Sequence, residues 1–166
     1  MKTEFDVQLQ AKDLFGFNMY QTYLGGTSGA VSILLGILIL VMAGYNLTHG
    51  EVGYGLLYAA GAVVILAYNP FTLWTRAKAV MKKNEVLAGV LHFCITEESI
   101  TVTQGEESAE LPWESVYKLV ANDRRVLIYS SRVNAYIIPR EQIEEQYELL
   151  KVIAEAKLPA FRRKIS

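Results

Sequence analysis

Two stretches without an acidic or basic side chain constrain this chain more than any other feature. No Asp, Glu, Lys or Arg occurs from Leu14 to Gly50, and none from Val52 to Thr75. The polar link His49-Gly50-Glu51 separates them. The apolar cores, about Gly29–Leu47 and about Val52–Tyr68, are each roughly 17–20 residues, enough to cross a ~30 Å hydrocarbon layer at 1.5 Å per residue. A buried helical hairpin in a soluble protein is the competing reading. The rest of a 166-residue chain is too small and too polar to wrap two such helices. The first run starts too late for a signal peptide, with no basic segment directly before it and no clear small-residue cleavage site after it. It is expected to be retained.

Basic residues set the orientation. Lys2 and Lys12 precede the first span, Arg76, Lys78, Lys82 and Lys83 follow the second, and the link carries Glu51 and no Lys or Arg. The positive-inside rule then puts both termini in the cytoplasm and residues 49–51 outside. Neither span holds an ionisable residue, which argues against a pump or transporter. Gly29, Ser32, Gly36 and Ala43 fall near one face of the first helix, and Gly55, Ala59 and Ala62 near one face of the second. Small residues there let the two helices pack on each other, which is the preferred reading; a homodimer face is the other. Residues 14–24, with Phe15, Phe17, Tyr20 and Tyr23, read as an interfacial helix. Asn69-Pro70 reads as the N-cap and first position of a new helix running to about Asn84. Its basic residues anchor and orient the chain, with specific binding of anionic lipid as the alternative.

The flanks have strand periodicity. Phe5-Asp6-Val7-Gln8-Leu9-Gln10 alternates apolar and polar, and an isolated strand needs a sheet to join. The available sheet lies beyond the apolar spans, so residues 1–13 are expected to pair with it. Period two resumes over residues 88–96, 99–103 and 108–111, then 116–121, 126–129 and 135–138, separated by short polar turns. Such a succession makes an antiparallel meander, because parallel pairs need long crossovers. A helix beginning near Pro139 carries Ile143, Tyr147, Leu150, Val152, Ile153 and Ala154 as an apolar stripe and ends at Pro159. The basic tail, residues 159–166, is expected to be disordered. The fold class is therefore α+β: a two-helix transmembrane hairpin within residues 14–83, and a small antiparallel sheet or open barrel over 84–158, capped by the C-terminal helix.

This order resembles the YcxB-like family of bacterial membrane proteins. The residues that carry the resemblance are the alternating Phe93-x-Ile95-x-Glu97 with Ile100, the Leu111-Pro112-Trp113 step into Val116-Tyr117-Lys118, then Leu127-Ile128-Tyr129, and the Ile137-Ile138-Pro139-Arg140 step into the last helix. The likeness runs from about Phe5 to Leu158. It implies a pleckstrin-homology-like (PH-like) cytoplasmic domain and a bacterial plasma membrane, and it brings no reaction with it.

The chemistry-bearing residues are sparse. A net charge of -1 gives no pull toward nucleic acid. The one cysteine, Cys94, excludes an intramolecular disulfide and argues against a Cys-based metal site. Mid-strand and without an evident activating neighbour, it reads as a structural thiol rather than a nucleophile. His92 lacks a partner in the sequence that would orient it as a general base. Trp113 reads as a core anchor, with an exposed stacking residue as the alternative. Arg124, Arg125, Arg132 and Arg140 all fall at strand ends or turns. Gathered at one rim they would hold a phosphate or carboxylate; scattered surface charge is the preferred reading. No catalytic, metal or cofactor site is expected. The expected role is a membrane-tethered, non-catalytic binding or scaffold module. Lipid-headgroup sensing through Arg76, Lys78, Lys82, Lys83 and the four arginines, or service as an accessory subunit of a membrane complex, are the alternatives. The expected partners are the bilayer and an unidentified membrane or cytoplasmic protein.

Overall fold

The structure, a computed structural model, describes residues 1–165, with the side chains of Glu85 and Val86 outside the description. In chain order the elements are β1 (Lys2–Gln8), α1 (Ala11–Tyr23), α2 (Ser28–Thr48), α3 (Val52–Lys83), α4 (Glu85–Ala88), β2 (Val90–Thr96), β3 (Ser99–Gln104), β4 (Glu107–Pro112), β5 (Lys118–Ala121), β6 (Arg125–Tyr129), β7 (Ala135–Pro139), α5 (Tyr147–Lys157) and β8 (Arg163–Ile165). The chain divides into two units, Met1–Asp13 with Met81–Ser166, and Leu14–Val80.

The first unit holds two four-stranded sheets, ordered β1-β2-β3-β4 and β7-β6-β5-β8. β1 pairs antiparallel with β2 along its whole length, from Lys2 opposite Thr96 to Gln8 opposite Val90. The entire apolar unit is thus an insertion between two neighbouring strands. Alternation sends Thr3, Phe5 and Val7 inward and leaves Lys2, Glu4, Asp6 and Gln8 outside. Phe5 stacks on its cross-strand partner Phe93 at 5.5 Å, and Phe93 meets the edge of Tyr136 on β7 at 5.9 Å. Those rings carry the apolar face of one sheet onto the other. In β6 every residue from Val126 to Tyr129 is buried, the pattern of a strand covered on both faces. α5 buries Tyr147, Leu150, Ile153 and Ala154, and it touches β1 and β8. At the β3–β4 turn Gly105 takes a φ of +57°, open to glycine at little cost.

The expected strand at Phe5–Gln10 starts and stops earlier, because Gln10 opens α1. Its backbone N–H donates to the Asp13 carboxylate at 2.9 Å, and its carbonyl accepts from the Asp13 N–H at 3.0 Å. The chain after Pro139 makes a single 3-10 turn, Arg140–Gln142, and α5 begins only at Tyr147. The Gln142 side chain faces the end of β1: its Oε1 accepts from Gln8 N and its Nε2 donates to Gln8 O, each at 2.9 Å. One amide therefore does for Gln8 what a further strand would do.

The expected disordered tail is instead built in. Arg163–Ile165 pairs parallel with β5, so the second sheet is not purely antiparallel. The arginines of this tail donate to main-chain carbonyls: Arg162 Nη1 to Glu114 at 3.2 Å, and Arg163 Nη1 to Leu158 at 3.2 Å and to Glu155. Ser166 lies outside the described residues.

The second unit contains α2 and α3, two helices long and apolar enough to cross a membrane by length and composition. Their tight link depends on Gly50, at φ +83°. The residues that face inward on α2, Gly29, Gly36 and Ala43, recur every seven positions, as do Gly55 and Ala62 on α3. A Cβ added at Gly36 would lie 2.5 Å from Leu66, and one at Gly55 2.5 Å from Leu47. The glycines are gaps that the leucines of the other helix fill. α3 does not restart at Asn69-Pro70 as expected; it is one helix of 32 residues with Pro70 inside. Pro70 forfeits only the bond to the Leu66 carbonyl. One residue pair on, the Thr72 hydroxyl reaches the carbonyls of Tyr68 and Asn69 at 2.9 and 3.0 Å. That hydroxyl adds bonds to the turn around Pro70 and does not replace the one lost at Leu66.

Freed from capping, Asn69 does other work. Its Nδ2 donates to Ser32 Oγ at 2.8 Å, and that hydroxyl donates to the Ser28 carbonyl at 3.1 Å. Asn69→Ala is expected to weaken the hairpin by about 0.6–1.7 kcal/mol, the range of interhelical hydrogen bonds in apolar surroundings. Unfolding of the purified protein in mixed detergent micelles would measure it, and an unchanged midpoint would remove Asn69 from the account.

Candidate functional site

Charged side chains of the first unit gather where β1 has ended, β5 turns into β6 and β7 gives way to the 3-10 turn. Lys12, Asp13, Asp123, Arg124, Arg125, Pro139 and Glu141 line an open cleft of about 380 Å³ there. Local bonding explains how it is built. Asn122 Oδ1 accepts the backbone N–H groups of Arg124 and Arg125, each at 3.0 Å, which fixes the β5–β6 turn. The Arg140 N–H bonds the Arg124 carbonyl at 3.0 Å, which holds the end of β7 against that turn.

Each carboxylate in the cleft already has a partner. Glu141 pairs with Lys12 Nζ at 2.7 Å, Asp123 lies 3.6 Å from the Arg140 guanidinium, and Asp13 accepts from Gln10. The arginines are less well served. Arg124 is exposed and Arg125 half-buried, and the Arg125 Nη1 is buried without a hydrogen-bond partner among the described residues. Burial pulls the Arg125 guanidinium below its ordinary value, with nearby Asp13 acting the other way and Arg124 reinforcing the fall.

Of the four arginines expected as scattered charge, three come together. Arg124 and Arg125 line the cleft, and Arg140 is bonded to its wall and stacks 3.9 Å over Tyr147. Arg132 sits in the β6–β7 turn, at the other end of β6. Arg76 and Lys78 belong to the second unit, where Lys78 lies 4.7 Å over the Trp74 ring; Lys82 and Lys83 are exposed at the last turn of α3. Of the seven small residues, Gly29, Gly36, Ala43, Gly55 and Ala62 are buried, while Ser32 and Ala59 are half-buried. Nothing in the spacing of Lys12, Asp13, Asp123 and Glu141 marks them in the sequence as members of one site. Asn69 was legible in principle: it continues the seven-residue spacing of Gly55 and Ala62.

Two other groups have sharp local geometry. His92 Nδ1 lies 2.7 Å from Asp6 Oδ1, directly across the β1–β2 pair, so His92 does have an orienting partner. Beside it Thr103 and Ser108 share a hydroxyl contact of 3.2 Å. Both ends of the His–Asp pair are open to water, with side-chain exposures of 48% and 68%. Such a pair is solvent-screened. Trp113 is buried, and its Nε1 donates to the Thr96 carbonyl at 2.8 Å, so the ring anchors the core. A wider open cleft borders it, with Glu97, Glu98 and Glu114 facing Lys157 and Arg162. Glu97 is held below the usual carboxylate range by the Met1 amine and by Lys157.

Cys94 sits opposite Glu4 in the same ladder. Burial pushes its thiol above the ordinary value, and a hydrogen bond to Glu4 adds to the rise. Less thiolate at neutral pH means slow alkylation. Cys94 is therefore expected to react with iodoacetamide at pH 7.5 several times more slowly than free cysteine, and faster in Glu4→Gln. Reaction at the rate of free cysteine would contradict this environment.

A family model described as YcxB-like protein matches residues 95–152. Neither a curated protein nor a solved structure matches the chain. The matched segment begins within β2 and ends within α5, taking in both Arg124 and Arg125. The chain carries a YcxB-like domain over residues 95–152.

Proposed function

We propose that the protein is a membrane-tethered, non-catalytic binding module, with α2 and α3 crossing the bilayer and a PH-like domain on the cytoplasmic side of a bacterial plasma membrane. One observation carries the reading: the apolar unit is inserted between β1 and β2, which pair over seven residues. A tether of this kind leaves the domain by two strands of one sheet rather than by one free end. The connections differ in length: residues 9–27, with α1 among them, run from β1 to α2, whereas only residues 84–89, with α4 among them, run from α3 to β2. A rearrangement of β2 is thus linked to α3 by a few residues of chain.

The character of the helices supports the membrane half of the proposal. In a soluble core such helices would be mostly buried, whereas 11% and 6% of their most apolar windows are buried here. Lipid is the solvent that suits Leu34, Leu35, Ile37, Leu38 and Leu40 on the outside. The succession of four strands, three strands and a helix supports the PH-like half, with β8 as an addition at the edge. The charged cleft supports binding over catalysis, because its groups are arginines and paired carboxylates rather than a nucleophile with its base.

The test is purification of the full chain from membranes in mild detergent after an alkaline carbonate wash. Retention through the wash, with one protein or anionic lipid enriched in proportion to the chain, is the expected result. Release by carbonate would contradict the tether. A chain that stays in the membrane and enriches nothing would contradict the binding role.

A further inference from the structure

We propose that the cleft at the β5–β6 turn binds a phosphate-bearing anion between the guanidinium groups of Arg124 and Arg125, which gives the binding module proposed above its ligand class. The groups around the cleft have unequal claims on one another. Lys12 and Glu141 neutralise each other at 2.7 Å, Asp123 faces Arg140 at 3.6 Å, and Asp13 is engaged by the Gln10 N–H. Arg124 and Arg125 remain as two consecutive cations on the cleft wall, with Asp13 acting on Arg125 through space and not through a hydrogen bond.

Holding two guanidinium groups together is unfavourable unless something negative lies between them. At Arg125 burial is the larger cost: its Nη1 is buried and bonded to nothing among the described residues, and nearby Asp13 offsets that only in part. A buried charged donor left unpaired is among the least tolerated features of a folded protein. An anion in the cleft would draw that guanidinium toward itself and meet its donors. A carboxylate has two oxygens and matches one arginine fork, whereas a phosphate presents three and bridges two. The lining is almost wholly charged, with Pro139 its one apolar member, so the rest of the ligand should be small and polar. A volume of about 380 Å³ admits a phosphate with a glycerol-sized substituent. Both an anionic phospholipid headgroup and a soluble phosphate ester have this chemistry.

The experiment uses the full chain in mild detergent. Inorganic phosphate and glycerol phosphate are titrated by calorimetry. Retention of phosphatidylglycerol against phosphatidylcholine is read by native mass spectrometry. Arg124→Gln and Arg125→Gln are compared with Lys164→Gln, which removes the same charge from an exposed position on β8. Each arginine variant should bind about tenfold more weakly, as expected for loss of a charged hydrogen bond, while Lys164→Gln stays near wild type. Binding of the soluble anions alone identifies a soluble ligand; selective retention of phosphatidylglycerol identifies the headgroup. If Arg125→Gln fails to fold, the exposed Arg124 still carries the comparison. Equal binding by all variants, or no binding of any probe by the wild type, overturns the proposal. The result is separate from the carbonate wash: a chain that washes off yet binds phosphate through Arg124 refutes only the tether.

Discussion

Phe93→Ala is expected to destabilise the β domain by about 3–5 kcal/mol, a large part of what a domain of this size has to lose. Phe93 is fully buried, and two aromatic contacts converge on it. Removal of the ring takes away the stack on Phe5, which fastens β1 to β2, and the edge contact with Tyr136, which joins the sheets. The neighbours cannot close the gap easily, because Ile95, Ile100 and Ile138 are themselves fully buried. Urea titration followed by Trp113 fluorescence, with Trp74→Phe to isolate that signal, measures the loss. A cost below about 1 kcal/mol would mean that the rings do not hold the sheets together.

The second large effect belongs to the apolar unit. Leu38→Lys puts an ammonium group at the middle of α2, on a side chain that is 55% exposed. In lipid this costs about 2.5–3.5 kcal/mol on the insertion scale. The same change on the surface of a soluble protein would be nearly neutral. Expression of Leu38→Lys should therefore leave less protein in the carbonate-washed membrane, with more degraded or aggregated. Leu38→Ala removes the apolar side chain without adding charge and should insert nearly as well as wild type. Equal recovery of all three proteins would say that this face does not meet lipid.

The parts of this molecule that were legible in the sequence are those written in local patterns. The charge-free runs give α2 and α3, because a helix long and apolar enough to cross a membrane is written residue by residue. The alternation around Phe5 gives β1 and even its need for a sheet, since a half-apolar strand cannot stand alone. What was lost depends on partners far away in the chain. Pro70 reads as a helix start because its ring forbids one bond, and a 32-residue helix with its other bonds intact carries that single loss. Arg162 and Arg163 read as part of a disordered tail, and it takes the folded carbonyls of Glu114 and Leu158 to make them structural. The cleft is the extreme case. Lys12, Arg124 and Glu141 lie in three separated segments, and only the folded sheets bring them to one place. Sequence spacing identified the arginines as turn residues and could not say which of them would meet.

The central claim is that one domain is held by a hairpin that spans the membrane from within its own first sheet. The most direct test uses single cysteines in a Cys94→Ser background and a membrane-impermeant maleimide on intact cells. Glu51→Cys, in the link between α2 and α3, should be labelled before lysis. Arg124→Cys, in the β5–β6 turn, should be labelled only after it. Labelling of both positions from outside, or of neither until lysis, would contradict the account.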